Sequence, residues 1–349
     1  MASLFTPFTV QGLTLRNRIV MPPMAMWSAG DDGVATDWHL AHYAARAMGG
    51  VGLIIQEATA VEPRGRISVN DLGLWDDAQV EPLARMVRLC HQQGAAVAPQ
   101  LAHAGRKAFS PNQGAGPQTI IAPSAVPADE GWVMPEAMAL EQIREVVEAF
   151  RTAGQRARQV GYDAIEVHAA HGYLLHEFLS PLSNQRGDSY GGSLENRARL
   201  LVEVVDALRA VWPAERPVLV RLSATDWSPK GLTLEDTIQV SRWLRDRGVD
   251  VIDCSTGGIL PSPPARIGPG YQVSFATEVR RRAAIPTIAV GLITTPELAE
   301  DIVGNERADL VAVGRAMLAD PHWALHAAVA LRQEVSWPQQ YESAGTLAL

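Results

Sequence analysis

Eight short apolar runs punctuate the chain: Arg18 to Met24, Val51 to Thr59, Ala95 to Ala102, Ala164 to His168, Pro217 to Ser223, Val249 to Ser255, Ile285 to Leu292 and Asp309 to Gly314. Most are continuous in Val, Ile, Ala and Leu and do not alternate with polar residues. That is the pattern of strands buried on both faces, and so of a parallel sheet. Between them lie amphipathic stretches of helical period, among them Asp76 to Gln93, Glu141 to Val160, Leu194 to Val211, Leu234 to Arg247, Val273 to Ala283 and Pro296 to Val303. Gly94, Gly161 and Gly248 follow three of these, where glycine permits the left-handed turn that ends a helix. Eight strand–helix units in about 300 residues predict a single α/β domain, a (β/α)8 TIM barrel spanning 1–349. A doubly wound sheet is the rival, and the lack of any break in composition favours closure.

Three stretches fall outside the repeat. Leu4 to Leu15 (LFTPFTVQGLTL) predicts an N-terminal hairpin that plugs the barrel bottom. Phe109 to Met138 is a Pro/Gly-rich excursion after the third strand, which places it over the active-site mouth as a lid or pocket wall. Residues 334–349 form a C-terminal tail.

Composition narrows the function more than the fold. Of the 349 residues 47% are hydrophobic and 19% charged, enough apolar material for a large core and too much for a disordered chain. Lys and Arg number 30 against 38 Asp and Glu, a net charge of −8, which argues against a nucleic-acid footprint or a basic membrane surface. Small anionic ligands must then be held by local groups. Two cysteines, Cys90 and Cys254, are too few for a disulfide framework, a four-cysteine zinc site or a cysteine-ligated iron–sulfur cluster. With no basic leader and no run of about 18 apolar residues, the chain reads as soluble and cytoplasmic.

The densest polar cluster is Glu166 to His176 (EVHAAHGYLLH). His168 and His171, three apart on one strand, would point to opposite faces, so the strand must end near His168. A turn there brings both imidazoles and the Tyr173 phenol to the barrel mouth, the face where barrel enzymes do their chemistry. Two imidazole donors suit one carbonyl oxygen, and a nearby phenol can protonate a strongly basic carbon. The same residues also read as satisfied core polar groups or, through the two histidines, as part of a metal-dependent hydrolase site. A second cluster, AVGLIT at 289–294 with VGRA at 313–316, sets Gly291, Gly314 and Arg315 after the last two strands, a pattern that suits a phosphate. No G-x-G-x-x-G follows a strand, so any nicotinamide shares the substrate's mouth.

These residues resemble the Old Yellow Enzyme family of FMN-dependent ene-reductases, and in particular its bacterial subgroup of xenobiotic reductases and thermostable ene-reductases. The resembling segments are LFTPFTVQGLTLRNRIVMPPM, GLIIQEATAV, QLAHAGRKA, IEVHAAHGYLLHEFLSPLSNQRGDSYGGSLENRARL, VRLSATD, DCSTGG, AVGLIT and LVAVGRAML. The resemblance implies FMN across the mouth with its phosphate at Gly291, Gly314 and Arg315. It places Pro23, Met24, Ala25 and Ala58 along the flavin ring, Gln100 on the pyrimidine edge, and Arg221 near N1. It implies that His168 and His171 bind a substrate carbonyl and that Tyr173 supplies the α-proton. The flavin, reduced beforehand by NADPH or NADH, would deliver hydride to the β-carbon of an enone, enal or maleimide. A homo-oligomer, dimer or tetramer, is also implied.

Two positions depart from the subgroup. Ala25 stands where relatives usually carry a cysteine, which predicts a thiol-free wall with catalysis intact, or else a flavin-binding sensor or carrier with little turnover. Ser343 stands where relatives often place an arginine that reaches a neighbouring site. Trp27 is expected to wall the substrate pocket. His103 reads as structural, Asp253 and Cys254 as barrel interior, and His176, His322 and His326 as helix residues.

Overall fold

The apolar runs become the staves of a closed barrel. A computed structural model describes residues 2–109, 119–261 and 267–345. The barrel strands are β1 (Ile19–Met21), β2 (Leu53–Ala60), β3 (Ala96–Ala102), β4 (Ile165–Ala169), β5 (Val218–Ser223), β6 (Val251–Ser255), β7 (Thr287–Ala289) and β8 (Leu310–Ala312). All pair in parallel with their sequence neighbours, and β8 returns to β1 through the register Val311 with Ile19 and Ala312 with Val20. Helices wrap the outside, as the (β/α)8 TIM barrel requires. β7 is shorter than its apolar run because Gly291 (φ 126°) and Leu292 (φ 51°) leave the extended conformation. The helices Val80–Gln92, Leu140–Val160, Leu194–Arg209, Leu234–Arg245, Val273–Ala283 and Pro296–Gly304 occupy the amphipathic stretches. Gly94, Gly161 and Gly248 all have positive φ. Further helices lie outside those stretches, the longest among the described residues being Asp37–Met48 and Trp323–Ala330. The latter (WALHAAVA) is apolar nearly all round, so it offers no period to read.

Side chains alternate between the barrel interior and the helix layer. Val20, Leu53, Ile55, Ala98, Leu219, Val251, Ile288 and Leu310 form an interior apolar cluster with Leu15. Leu15 belongs to an antiparallel hairpin, Phe8–Val10 with Leu13–Leu15, and Phe8, Val10 and Leu13 pack against the same cluster at the strands' N-terminal ends. The alternation corrects one expectation. Asp253 faces the interior, but Cys254, the next residue, packs with the helix-side core, since neighbours on a strand point to opposite faces.

A bulge in β2 sets the level of the mouth. The register against β3 slips between Gln56 and Ala58, so that Ala58, not Glu57, sits opposite Gln100. Glu57 turns away, and its carboxylate accepts hydrogen bonds from the Tyr43 hydroxyl (3.1 Å) and from the Met26 backbone N–H (2.7 Å). It thereby pins the segment after β1 that contains Pro23, Met24 and Ala25. After β3, Ile121–Ala122 pairs in parallel with Glu136–Ala137, while residues 110–118 of the excursion and 346–349 of the tail lie outside the described residues.

Candidate active site

The histidine turn is built where β4 ends. Beyond Ala169 the chain enters two left-handed residues, His171 (φ 61°) and Gly172 (φ 74°). Only glycine fits the second, because a Cβ there would lie 2.2 Å from the Gly258 carbonyl oxygen of the loop after β6. Three groups lock this turn. The Gly172 N–H donates to His176 Nδ1 at 2.8 Å, which leaves His176 Nε2 to donate to Asp226 at 2.9 Å. The His171 N–H donates to Ser223 Oγ at 3.0 Å. Lys107 Nζ donates to the His171 carbonyl at 2.8 Å and also to that of Gly258, stapling the two loops together.

The locked turn brings together the three side chains singled out from the sequence. The His168 and His171 rings lie 5.2 Å apart, and the Tyr173 ring lies 4.9 Å from His168, both pairs edge to face. His171 Nε2 sits 2.6 Å from Ser255 Oγ, which fixes the ring. His168 is buried with its Nδ1 unpartnered among the described residues. Burial, followed by the nearby Arg221 charge, holds both imidazoles well below their usual range, so both are neutral at physiological pH. Burial and then Asp71 push Tyr173 up to about 12, so it keeps its proton. Tyr173 and Lys107 also line a cavity of about 340 Å³ walled by Ile67, Trp132, Ile259 and Leu260. Trp132 comes from the excursion after β3.

Beneath the histidines the barrel interior is charged. Gln100 donates to Glu166 at 2.8 Å, and Arg221 Nε lies 3.0 Å from an Asp253 oxygen. Pro23, Met24, Ala25 and Ala58 are half-buried along the mouth. Gly314 faces Met24, with its Cβ direction 3.5 Å from the Met24 sulfur. At Gly291 a Cβ would press within 3.1–3.2 Å of Gln272 and Tyr271. Arg315 is exposed at the start of the next helix. Trp27 stands apart: it is 52% exposed with φ 50°, and among the described residues no ring contact joins it to the histidines.

Sequence reasoning missed the positioning layer. His176 does lie in a helix (Leu174–Leu179), but its ring is the hinge pin of the turn, and Asp226, Lys107, Ser255 and Glu57 received no role. Their one signal was position, inside or beside the polar segments. His103 bonds Glu62 at 2.7 Å, a structural contact. Among the described residues no group of three His, Cys, Asp or Glu could hold a metal, so the hydrolase reading has no ligand set there.

With this geometry in place, comparison with known proteins is decisive. A model of the NADH:flavin oxidoreductase / NADH oxidase family matches residues 3–334. The chain belongs to that family. It is 51% identical to the NADPH dehydrogenase of Bacillus velezensis over 342 residues, covering 98% of each chain. It is 49% identical to that of Bacillus subtilis over 340 residues, 97% of this chain and 98% of the other. Morphinone reductase in complex with tetrahydroNAD superimposes with a TM-score of 0.79 at 32% identity, covering 96% of this chain and 92% of the other. The old yellow enzyme homologue from Zymomonas mobilis gives a TM-score of 0.79 at 27% identity, covering 96% and 94%. The Old Yellow Enzyme resemblance is therefore correct. The protein is a flavin oxidoreductase of the NADPH dehydrogenase type, with FMN as cofactor and a nicotinamide as reductant. Among the described residues no helix is long and apolar enough to cross a membrane.

Proposed function

We propose that the protein reduces activated carbon–carbon double bonds, those of enones, enals and maleimides, at the expense of NADPH or NADH. The observation that carries this reading is the convergence of two neutral imidazoles and a protonated phenol at the mouth of a flavin-family barrel.

The residues of the mouth fit FMN. Arg221 Nε and His168 Nδ1 are buried without hydrogen-bond partners among the described residues, and Gly291 leaves room where any side chain would fill the space. Pro23, Met24, Ala25 and Ala58 would line the ring, Gln100 and Arg221 would meet its polar edge, and Gly291, Gly314 and Arg315 would hold the phosphate. When bound, FMN supplies hydride chemistry, accepting from the nicotinamide and giving to the alkene's β-carbon.

This chain's residues supply the rest. His168 and His171 donate hydrogen bonds to the substrate carbonyl, whose oxygen gains enolate charge as the β-carbon is attacked, so the bonds strengthen toward the transition state. Neutral imidazoles serve here because each keeps one N–H donor without placing a second buried cation beside Arg221. Tyr173 holds its proton until a more basic α-carbon takes it. Lys107, His176 and Ser223 fix the turn that aims these groups, and Ser255 holds the His171 ring. The loop after β3, through Trp132, narrows the entrance. A cytoplasmic homo-oligomer fits this reading.

Anaerobic reduction by NADPH followed by addition of 2-cyclohexenone tests the proposal. The yellow colour should bleach and return rapidly with the enone. A return no faster than without the enone would restore the sensor or carrier reading.

A further inference from the structure

Among the described residues the barrel interior sets two buried carboxyl groups, Glu166 and Asp253, against one buried cation beside them, Arg221. Glu166 on β4 and Asp253 on β6 come from alternate strands, as members of one barrel layer do. Gln100 on β3 and Arg221 on β5 come from the strands beside them. All four are buried. Gln100 Nε2 occupies Glu166 Oε1, while Glu166 Oε2 and both Asp253 oxygens have no hydrogen-bond partner among the described residues. Arg221 approaches Asp253 at 3.0 Å without hydrogen-bond alignment. Two carboxylates against one guanidinium would leave a net negative charge on side chains buried from bulk solvent, which is expensive enough that a proton is retained instead.

We propose that Glu166 is a neutral acid in the folded enzyme, with its proton on Oε2 toward Asp253, and that this pair sets how much of Arg221's positive charge reaches the flavin edge. One proton on Oε2 gives a partner both to that oxygen and to one of the stranded Asp253 oxygens. It leaves the layer with one anion and one cation. Burial, and then the Asp253 charge, raise Glu166 well above the carboxylate range in agreement with this placement, and burial raises Asp253 despite Arg221. Glu166 has a second task. By accepting from Gln100 Nε2 it fixes the carboxamide so that Gln100 presents its oxygen as acceptor, the complement of a ligand N–H. Glu166 and Asp253 are thus positioning residues that act through Gln100 and Arg221. The inference rests on the reading that FMN lies over Arg221.

Two measurements on the FMN-loaded enzyme test it. Infrared spectra of the unmodified enzyme minus those of Glu166→Gln should show a protonated carboxylic acid band that shifts in D2O, beyond any band from the buried Glu177, which is pushed up to about 8; a difference spectrum without that band would overturn the proton's placement. Sulfite, which adds to flavin N5 and leaves negative charge on the ring, probes the field at N1. Asp253→Asn should bind sulfite about tenfold more tightly, since it removes an anion worth about one factor of ten at the ring, whereas Glu166→Gln should stay within about twofold. Equal shifts in the two variants would overturn the charge assignment. Arg221→Gln should weaken sulfite binding by about tenfold or more. If it leaves an FMN-loaded enzyme unchanged, the seating of FMN over Arg221 fails and the inference falls with it. Failure of the acid pair alone leaves the Arg221 effect in place. Should Asp253→Asn not fold, the band lost between the unmodified enzyme and Glu166→Gln still decides.

Discussion

The two ends of the barrel are made from the same alternating strands and are opposite in kind. At the N-terminal end Leu15 and its hairpin neighbours meet Leu219, Val251 and Leu310 in a buried apolar plug. At the C-terminal end the inward positions are His168, Ser223 and Ser255, over the ionisable residues Glu166, Arg221 and Asp253. The plug stabilises the fold by burial alone. Among the described residues the mouth keeps nitrogens and oxygens without partners, and a folded chain tolerates such groups where they are used.

The sharpest way to break this contrast is to empty the mouth. His168→Ala with His171→Ala should lower turnover of 2-cyclohexenone by at least about a hundredfold, since each donor to a developing oxyanion contributes roughly 3 kcal/mol. The melting temperature should not fall in proportion. Full activity in the double variant would sink the assignment. Cutting the plug should do the reverse: Leu15→Ala should destabilise by about 2–5 kcal/mol in urea titration, leaving enone kinetics of the folded fraction unchanged.

A smaller effect separates the ends by pH. Both mouth imidazoles are held below their unfolded value of about 6.5, so as pH falls below that point the unfolded chain takes up protons that the folded one refuses. Stability is fully present above about pH 6.5 and declines below it, with a slope of up to about 1.4 kcal/mol per pH unit for each imidazole. Urea midpoints at about pH 7 and 5 should show this decline, flattened in the double histidine variant. Least of all should a thiol alkylator matter. Ala25 removes the usual target, Cys90 is buried with its thiol pushed up to about 12, and Cys254 is buried against the helix layer. Activity and flavin spectrum should both survive treatment.

Much of this was legible in the chain. Continuous Val/Ile/Ala runs revealed the strands because both faces of each are covered, and the spacing of His168, His171 and Tyr173 required a turn that the structure supplies. The helices Asp37–Met48 and Trp323–Ala330 were harder, since Trp38 breaks the polar face of the first by lying 55% exposed and the second has no polar face. The β2 bulge left no trace in composition, yet it decides that Ala58 faces the mouth and Glu57 does not. His176 looked like any helical histidine because its partners, Gly172 and Asp226, are 4 and 50 residues away and meet it only in the folded barrel. Trp27 was assigned to the pocket wall from the resemblance alone, and its left-handed backbone and half-exposed ring follow from no pattern in the chain.

The central claim is that the mouth supplies a carbonyl clamp and a proton to the alkene, and that the proton donor, Tyr173, takes no part in the reduction of the flavin itself. Stopped-flow measurement of the two half-reactions in Tyr173→Phe tests it directly. Bleaching by NADPH should proceed at the wild-type rate, while reoxidation by 2-cyclohexenone should slow by about a hundredfold or more, the size of a lost general acid. Equal slowing of both halves, or of neither, would contradict the account.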